Sequence, residues 1–180
     1  MISRRALIGA IAALTLVAGG QAVADNSALD ADATTALDLL MRTQPEAKDV
    51  LESAVGVLVF PEIVKGGFIV GAASGKGVLK VGGKTRDYYR SIAVSYGLQA
   101  GIAKFGYVMA FMDESSLGYL DRTEGFELGI GPNVTVADEG FAKKFSTSTK
   151  EDGIVVFFVS QDGFFAGAGV EGTKITKLED

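Results

Sequence analysis

Glycine is the feature that most constrains how this chain can fold. The sequence has 24 glycines and only three prolines among its 180 residues. Three of these glycines precede residue 25, and many of the remaining 21 lie within apolar, β-branched stretches. Glycine inside a strand marks a bulge, a bend or a close backbone approach, whereas a disordered linker would be rich in proline as well. The pattern therefore predicts tightly packed strands with many turns and bulges.

The first 24 residues have the pattern of an export signal. A basic start precedes an apolar run at residues 6–18, and this run is shorter than the about 20 residues of a membrane-spanning helix. Ala22-Val23-Ala24 then matches a small-x-small cleavage site. We expect cleavage after Ala24 and a periplasmic protein with one domain, residues 25–180. A retained membrane anchor is the alternative, and the Sec and Tat routes both remain open because Arg4-Arg5 fits a twin-arginine signal loosely.

Two helices are expected before the sheet. Apolar residues follow helical spacing over 25–54, with a capping-box-like start at Ser27, and Pro45 is placed to open a second helix. From Val55 onward, glycine or lysine separates short apolar runs that are typical of strands. The expected strands are 55–60, 68–73, 77–81, 85–94, 95–103, 106–112, 126–136, 154–160, 164–170 and 173–177, with a short helix at 115–122 and a turn at 161–163. This order predicts an α+β fold: two N-terminal helices followed by a mainly antiparallel, glycine-rich curled sheet or barrel-like β domain.

The composition excludes much enzyme chemistry. The chain has no His and no Cys, so a Ser-His-Asp triad, a Cys-His pair and a His/Cys zinc site are all impossible. Gly167-x-Gly169-x-x-Gly172 matches the dinucleotide fingerprint as a string, but no helix can follow it in the few remaining residues. Residues 71–77 resemble a phosphate-binding loop without the Ser or Thr that would hold Mg²⁺. We expect no catalysis, no cofactor and no metal; a carboxylate hydrolase built on Glu127 or Glu171 is a weak alternative.

Charge is distributed unevenly along the chain. Residues 25–62 carry a net charge of −6, residues 63–112 carry +6, and residues 113–180 carry −7. The basic middle segment also contains several Tyr and Phe residues. Such a segment suits anionic lipid headgroups or nucleic acid, but export and the net charge of −7 after cleavage argue against nucleic acid. The alternative is a solvated strand face whose bases pair with acids of the two outer segments.

Strand geometry gathers several of these bases. If residues 82–84 form a three-residue hairpin loop, Lys80 lies opposite Arg86 and Lys76 lies opposite Arg90, with both pairs on one face. A two-residue Gly82-Gly83 turn would instead place the two pairs on opposite faces, and the sequence leaves this register open. The candidate residues for lipid headgroup contact are Lys76, Lys80, Lys84, Arg86 and Arg90.

The chain resembles the SYLF domain family over roughly residues 47–178. The segments that carry the resemblance are Ala54-Val55-Gly56-Val57-Leu58-Val59-Phe60-Pro61, Lys65-Gly66-Gly67-Phe68-Ile69-Val70-Gly71, Val81-Gly82-Gly83-Lys84 and the tail from Ser160 to Thr173. The resemblance implies phospholipid binding without catalysis. Eukaryotic members are associated with a basic amphipathic N-terminal helix that engages lipid. The matching helix here is acidic, so that mode of binding does not carry over.

Together these features predict an exported, non-catalytic protein that binds phospholipid. Its expected partner is an anionic phospholipid membrane, with which it associates peripherally, or a bound lipid that it holds. The alternative is a structural or interaction protein of the cell envelope that uses the same basic residues to bind an acidic partner.

Overall fold

The computed structural model of the chain describes residues 25–121, 126–127, 134–136 and 153–179. The expected signal peptide and its cleavage site at Ala24 lie outside these residues.

Two helices precede the sheet, as predicted. Helix α1 covers residues 25–43 of the described chain, and helix α2 spans Ala47–Ser53 after a turn at Pro45. Because residues 25 and 26 are already helical, the expected helix start at Ser27 is wrong. The predicted apolar stripe is buried at its centre, where Ala33, Ala36, Leu40, Ala47 and Val50 all have less than a tenth of their surface exposed. Neither of these helices, nor any other helix in the described ranges, is both long and apolar enough to cross a membrane.

The rest of the fold is one open sheet. Its strands are β1 (Gly56–Val81), β2 (Lys84–Phe111), β3 (Phe126–Glu127), β4 (Val134–Val136) and β5 (Ile154–Lys177). The order is β1-β2-β5-β3 with antiparallel pairing, and β4 adds a short parallel pairing to β5. Helix α3 (Glu114–Gly118) and a 3-10 turn (Tyr119–Asp121) follow β2, where the sequence predicted one short helix. The α+β class with a mainly antiparallel curled sheet is confirmed, and the sheet is not closed into a barrel.

The strands are fewer and longer than the sequence suggested. The six strands expected over residues 55–112 are two strands, β1 and β2, interrupted by bulges rather than by turns. The turn expected at 161–163 is wrong, because these residues continue β5 and pair with residues 103–105 of β2. The strand continues through these polar and glycine residues because β5 must follow β2 along its length to keep its backbone hydrogen bonds.

The first strand folds back on itself. At about 3.3 Å per residue, a straight strand of this length would span about 85 Å, whereas a compact chain of 180 residues has a radius of gyration of about 16 Å. Gly75 and Gly77 of β1 lie directly against Glu62 and Phe60 of the same strand. The two halves of β1 therefore pack face to face, and β2 and β5 bend with them.

Two hydrophobic clusters result from this bend. The inner cluster lies between the two halves of the folded sheet and includes Phe60, Ile63, Leu79, Tyr89 and Phe111. The outer cluster lies on the opposite side of the sheet, where α1 and α2 pack on Val59, Val78, Val108 and Phe157. We use "inner face" and "outer face" below for these two sides of the sheet.

Asp113 links the end of β2 to the start of β5 through hydrogen bonds. Its carboxylate accepts hydrogen bonds from the Ser115 and Ser116 hydroxyls, from the Ser116 amide at 2.9 Å and from the Gly153 amide at 2.8 Å. The hydrogen bonds from the Ser115 and Ser116 hydroxyls hold the pKa of Asp113 well below its usual value, and those from the two amides lower it further. Asp113 is thus the N-cap of α3 and joins that helix to the residue preceding β5, so this carboxylate has a structural role.

The contact between the two halves of β1 predicts that position 75 does not tolerate a side chain. A Cβ atom at this position would lie 2.2 Å from the Glu62 carbonyl oxygen, a backbone atom that cannot rotate away. We therefore expect Gly75→Ala to lower the free energy of unfolding by about 1–3 kcal/mol, the usual range for an overpacked core. Chemical denaturation measures this change.

Gly66→Ala is the matched control in the same strand. A Cβ there would meet nothing closer than the Ile102 side chain, at 3.8 Å, which is an ordinary contact. Its effect on stability should be small, because Ala suits a strand at least as well as Gly. Equal destabilisation by the two substitutions would contradict the tight crossing at Gly75.

Candidate functional site

The hairpin that joins β1 and β2 combines features of both registers left open by the sequence. Gly82 and Gly83 form a two-residue turn with φ angles of +57° and +76°, as a type I′ turn requires. This turn pairs Lys80 with Thr85 rather than with Arg86, and a bulge between Leu79 and Lys80 follows. Beyond the bulge the predicted pairing of Lys76 with Arg90 is restored.

The bulge turns Arg86 towards the inner side of the hairpin. Its guanidinium is 3.0 Å from an Asp87 carboxylate oxygen and 3.2 Å from one of Asp121 in the 3-10 turn. Lys177 contacts the other Asp87 oxygen at 2.6 Å. Burial lowers the pKa of Arg86, but the neighbouring Tyr89 hydroxyl, Asp87 and Asp121 outweigh it and raise that pKa above its usual value. Arg86 therefore belongs to a partly exposed ion-pair network with Asp87, Asp121 and Lys177.

Acids of α1 hold the outer side of the same hairpin. The Asp30 carboxylate accepts hydrogen bonds from the Thr85 hydroxyl at 2.7 Å and from the Tyr88 hydroxyl at 3.0 Å. Lys76 forms an ion pair with Asp25, one of the first residues of the described helix. The acidic character of α1 thus serves to dock the helix on the basic segment, which is the alternative that the charge distribution left open for these residues.

The other three candidate bases have no ion pair among the residues that the structure describes. Lys80 is half-buried and lines a groove of about 360 Å³ between the helices and the hairpin turn, together with Met41 and Leu37. Lys84 is exposed at the tip of the hairpin. Arg90 is exposed on the outer face beside Lys76. The five candidates therefore do not form one patch, and their role in headgroup contact stays a prediction.

The outer face continues beyond Arg90 as an exposed apolar surface. Ile92 and Val94 of β2 follow Arg90 on this face at alternate positions, and they lie opposite Ser74 and Ala72 of β1. Lys174 of β5 is the register partner of Ile92 and is itself exposed. Cationic and apolar side chains are thus interleaved across three neighbouring strands.

Near the bend of the sheet the outer face becomes strongly apolar. Phe68 has 74% and Ile102 has 69% of its surface exposed, which is unusual for side chains of this size. Val64 and Val70 are also about half exposed. We call the following set the outer apolar surface: Val64, Phe68, Val70, Ile92, Val94 and Ile102.

Sequence reasoning missed this surface for two reasons. The run Phe68-Ile69-Val70 has the composition of a buried strand, and only the bend of the sheet leaves its side chains exposed. Lys174 lies in a segment with a net charge of −7, so the net charge of that segment does not indicate that this base belongs to a cationic surface. The usable signal was the even numbering of Arg90, Ile92 and Val94, which puts a base and two aliphatic residues on one strand face.

The carboxylates of the weak enzyme alternative lie on the two strands at the far side of the sheet. Glu127 on β3 is the register partner of Lys174, and Glu171 on β5 is the register partner of Ser95. The nucleotide-like strings at 71–77 and 167–172 lie within β1 and β5, so neither forms the strand-to-helix loop that phosphate binding by these motifs requires.

The ion pairs of Arg86 lead to a stability prediction. Arg86→Glu would place a third carboxylate beside Asp87 and Asp121, replacing attraction by repulsion. We expect it to lower the free energy of unfolding by about 1–2 kcal/mol, since partly exposed pairs contribute about 0.2–1 kcal/mol each. Urea denaturation at low salt checks this value.

Lys84→Glu is the control, because it makes the same charge change at an exposed position of the same hairpin without an ion pair in the described chain. A loss of stability as large as that of Arg86→Glu would mean that overall charge, and not the Asp87–Asp121 network, governs the effect.

The chain matches one described protein family over part of its length. No curated protein matches the chain. Residues 92–180, about half of the chain, match the family described as Ysc84, Las17-binding protein actin regulator. The match begins in β2 at Ile92 and includes β5 with Lys174, and it leaves the hairpin bases at 76–90 outside. Over residues 92–180 the chain therefore belongs to the Ysc84, or SYLF domain, family, and the resemblance found in its sequence is confirmed.

Proposed function

We propose that this protein is exported and binds anionic phospholipid membranes peripherally, without catalysing a reaction. The outer apolar surface lies against the membrane. Its aliphatic and aromatic side chains enter the boundary between headgroups and acyl chains, while Arg90 and Lys174 contact anionic headgroups.

The observation that carries the proposal is the exposure of Phe68 and Ile102 on the same side of the sheet as Arg90 and Lys174. Contiguous apolar surface of this kind marks an interaction site in a folded protein, because its exposure to water is unfavourable. A neighbouring row of cations directs that surface towards an anionic partner. Family membership supports a binding role in general, and the SYLF resemblance supports lipid as the ligand.

Magnitudes decide which contribution is larger. A base at an anionic membrane surface contributes about 1 kcal/mol, whereas full burial of a side chain such as Phe or Ile contributes about 1.5–3 kcal/mol. With six residues in the outer apolar surface and two bases beside it, insertion supplies most of the affinity. Charge supplies the preference for anionic lipid and the dependence on salt.

Vesicle binding tests the proposal. The vesicles contain phosphatidylglycerol and phosphatidylcholine, or phosphatidylcholine alone, and binding is measured by co-sedimentation. Phe68→Thr with Ile102→Thr should weaken binding to both kinds of vesicle at least tenfold while retaining β propensity. Arg90→Glu with Lys174→Glu should weaken binding to the anionic vesicles by about tenfold or more and abolish its salt dependence.

Arg42→Glu with Lys48→Glu is the matched control, because it gives the same change in net charge at exposed positions of the two helices, outside the outer apolar surface and the five candidate bases. Equal losses in the two charge-reversal variants would show that net charge alone matters and would contradict this surface. If the wild-type protein binds neither vesicle, the envelope interaction protein becomes the better hypothesis, with an acidic protein on the same face.

Export is the second part of the proposal and rests on the basic start, the apolar run at 6–18 and the Ala22-Val23-Ala24 site. The protein isolated from its native host should have the mass of residues 25–180, and it should be released with the periplasmic fraction. An intact mass that retains residues 1–24 would contradict cleavage after Ala24.

A further inference from the structure

The inner face of the sheet lines a half-open cavity of about 320 Å³. Ile63 and Ala73 line it from the two halves of β1, Ala93 and Phe105 line it from the two halves of β2, and Val156 lines it from β5. It therefore lies between the layers that the bend brings together. Protein interiors are normally packed with few voids larger than a water molecule, so a space of this size requires a cause.

The cause is an unequal distribution of side-chain volume. The layer that contains Ala73, Ser91 and Ala93 presents small side chains to the cavity. The facing layer presents large ones, among them Phe105 and Tyr107. Because the bend fixes the distance between the layers, the small residues leave space that the other described lining side chains do not fill. Its volume lies at the lower end of the range of about 300–1,000 Å³ for small-molecule sites.

The polar groups of the cavity are few. The Tyr107 hydroxyl donates a hydrogen bond to the Ser91 hydroxyl at 2.9 Å, so these two groups satisfy each other inside the protein. Lys65 is the charged residue of the described lining, and it is half-buried, as expected for an ammonium at the edge of an apolar space. Phe158, with 40% of its surface exposed, lies at the same lining and packs against Phe105 with ring centroids 6.1 Å apart.

We propose that this cavity holds one acyl chain whose anionic head group contacts Lys65. The proposal rests on lipid as the ligand class of the proposed function, but it uses the inner face, whereas membrane contact uses the outer face. An apolar chain matches the aliphatic and aromatic walls and demands no hydrogen bonds from them. A sugar or nucleotide would leave several polar groups unpaired, which is unfavourable in such a site. Carboxylate or phosphate complements the ammonium of Lys65.

Binding of dodecanoate and of dodecanol to the purified, delipidated protein tests the site, by isothermal titration calorimetry. The uncharged alcohol isolates the contribution of the chain from that of the head group. Ala93→Leu adds a side chain inside the cavity and should weaken binding of both ligands at least tenfold. Lys65→Ala should weaken binding of dodecanoate about tenfold and leave binding of dodecanol unchanged.

Ala31→Leu is the control for the added volume, since Ala31 is exposed on α1. Where Ala93→Leu fails to fold, Ala73→Leu fills the cavity from the neighbouring strand of the same layer, and circular dichroism verifies the fold of each variant. Wild-type affinity in a folded, cavity-filled variant would overturn the proposal, as would an absence of binding by the wild-type protein.

The two proposals fail separately. Phe68→Thr with Ile102→Thr should leave dodecanoate binding unchanged, and Ala93→Leu should leave vesicle binding unchanged. Loss of dodecanoate binding in the outer-face variant would overturn the cavity as a site distinct from the membrane contact. If the protein binds dodecanoate but does not bind vesicles, this result would support the acyl-chain site in the cavity and contradict only peripheral membrane association.

Discussion

The crossing of β1 over itself is the contact on which the rest of this structure depends. The Glu62 backbone lies against Gly75, and the Phe60 ring lies against Gly77. Both contacts are so close that a Cβ atom at either glycine would clash. Because β2 and β5 are hydrogen-bonded to β1 in one sheet, they must bend where β1 bends. The inner cluster, the cavity and the exposed outer face are all consequences of this one close approach.

The sequence predicts the helices well because their signals are local. Helical spacing and Pro45 place α1 and α2 nearly as found, and the fold class follows from the change to glycine-punctuated apolar runs. The number of strands could not be predicted in the same way. From sequence alone, a glycine such as Gly75 is equally compatible with a turn between two strands and with a bend inside one strand. Only its long-range contact with Glu62 distinguishes the two.

Charge along the sequence is likewise a poor guide to charge on the surface. The segment 63–112 carries +6, but the Asp25 and Asp30 side chains of α1 and the Asp121 side chain of the 3-10 turn lie against its hairpin. The bulge at Arg86 decides which base meets which acid, and a bulge of one residue leaves no reliable mark in the sequence. The role of the five candidate bases in headgroup contact stays a prediction, and placing Lys80 opposite Arg86 required a register that the hairpin does not adopt.

The bend also explains why apolar side chains remain outside. Ile69, at the irregular step between Phe68 and Val70, has a φ angle of +64°, a left-handed conformation that costs a residue with a Cβ atom about 1–2 kcal/mol. A glycine at this point would remove that cost, and polar neighbours would remove the cost of exposing Phe68 to water. The chain instead retains three large apolar residues in succession, all of them exposed. Two unfavourable features at one place are understood most simply if this surface is covered when the protein acts, which is the physical basis of the proposed membrane contact.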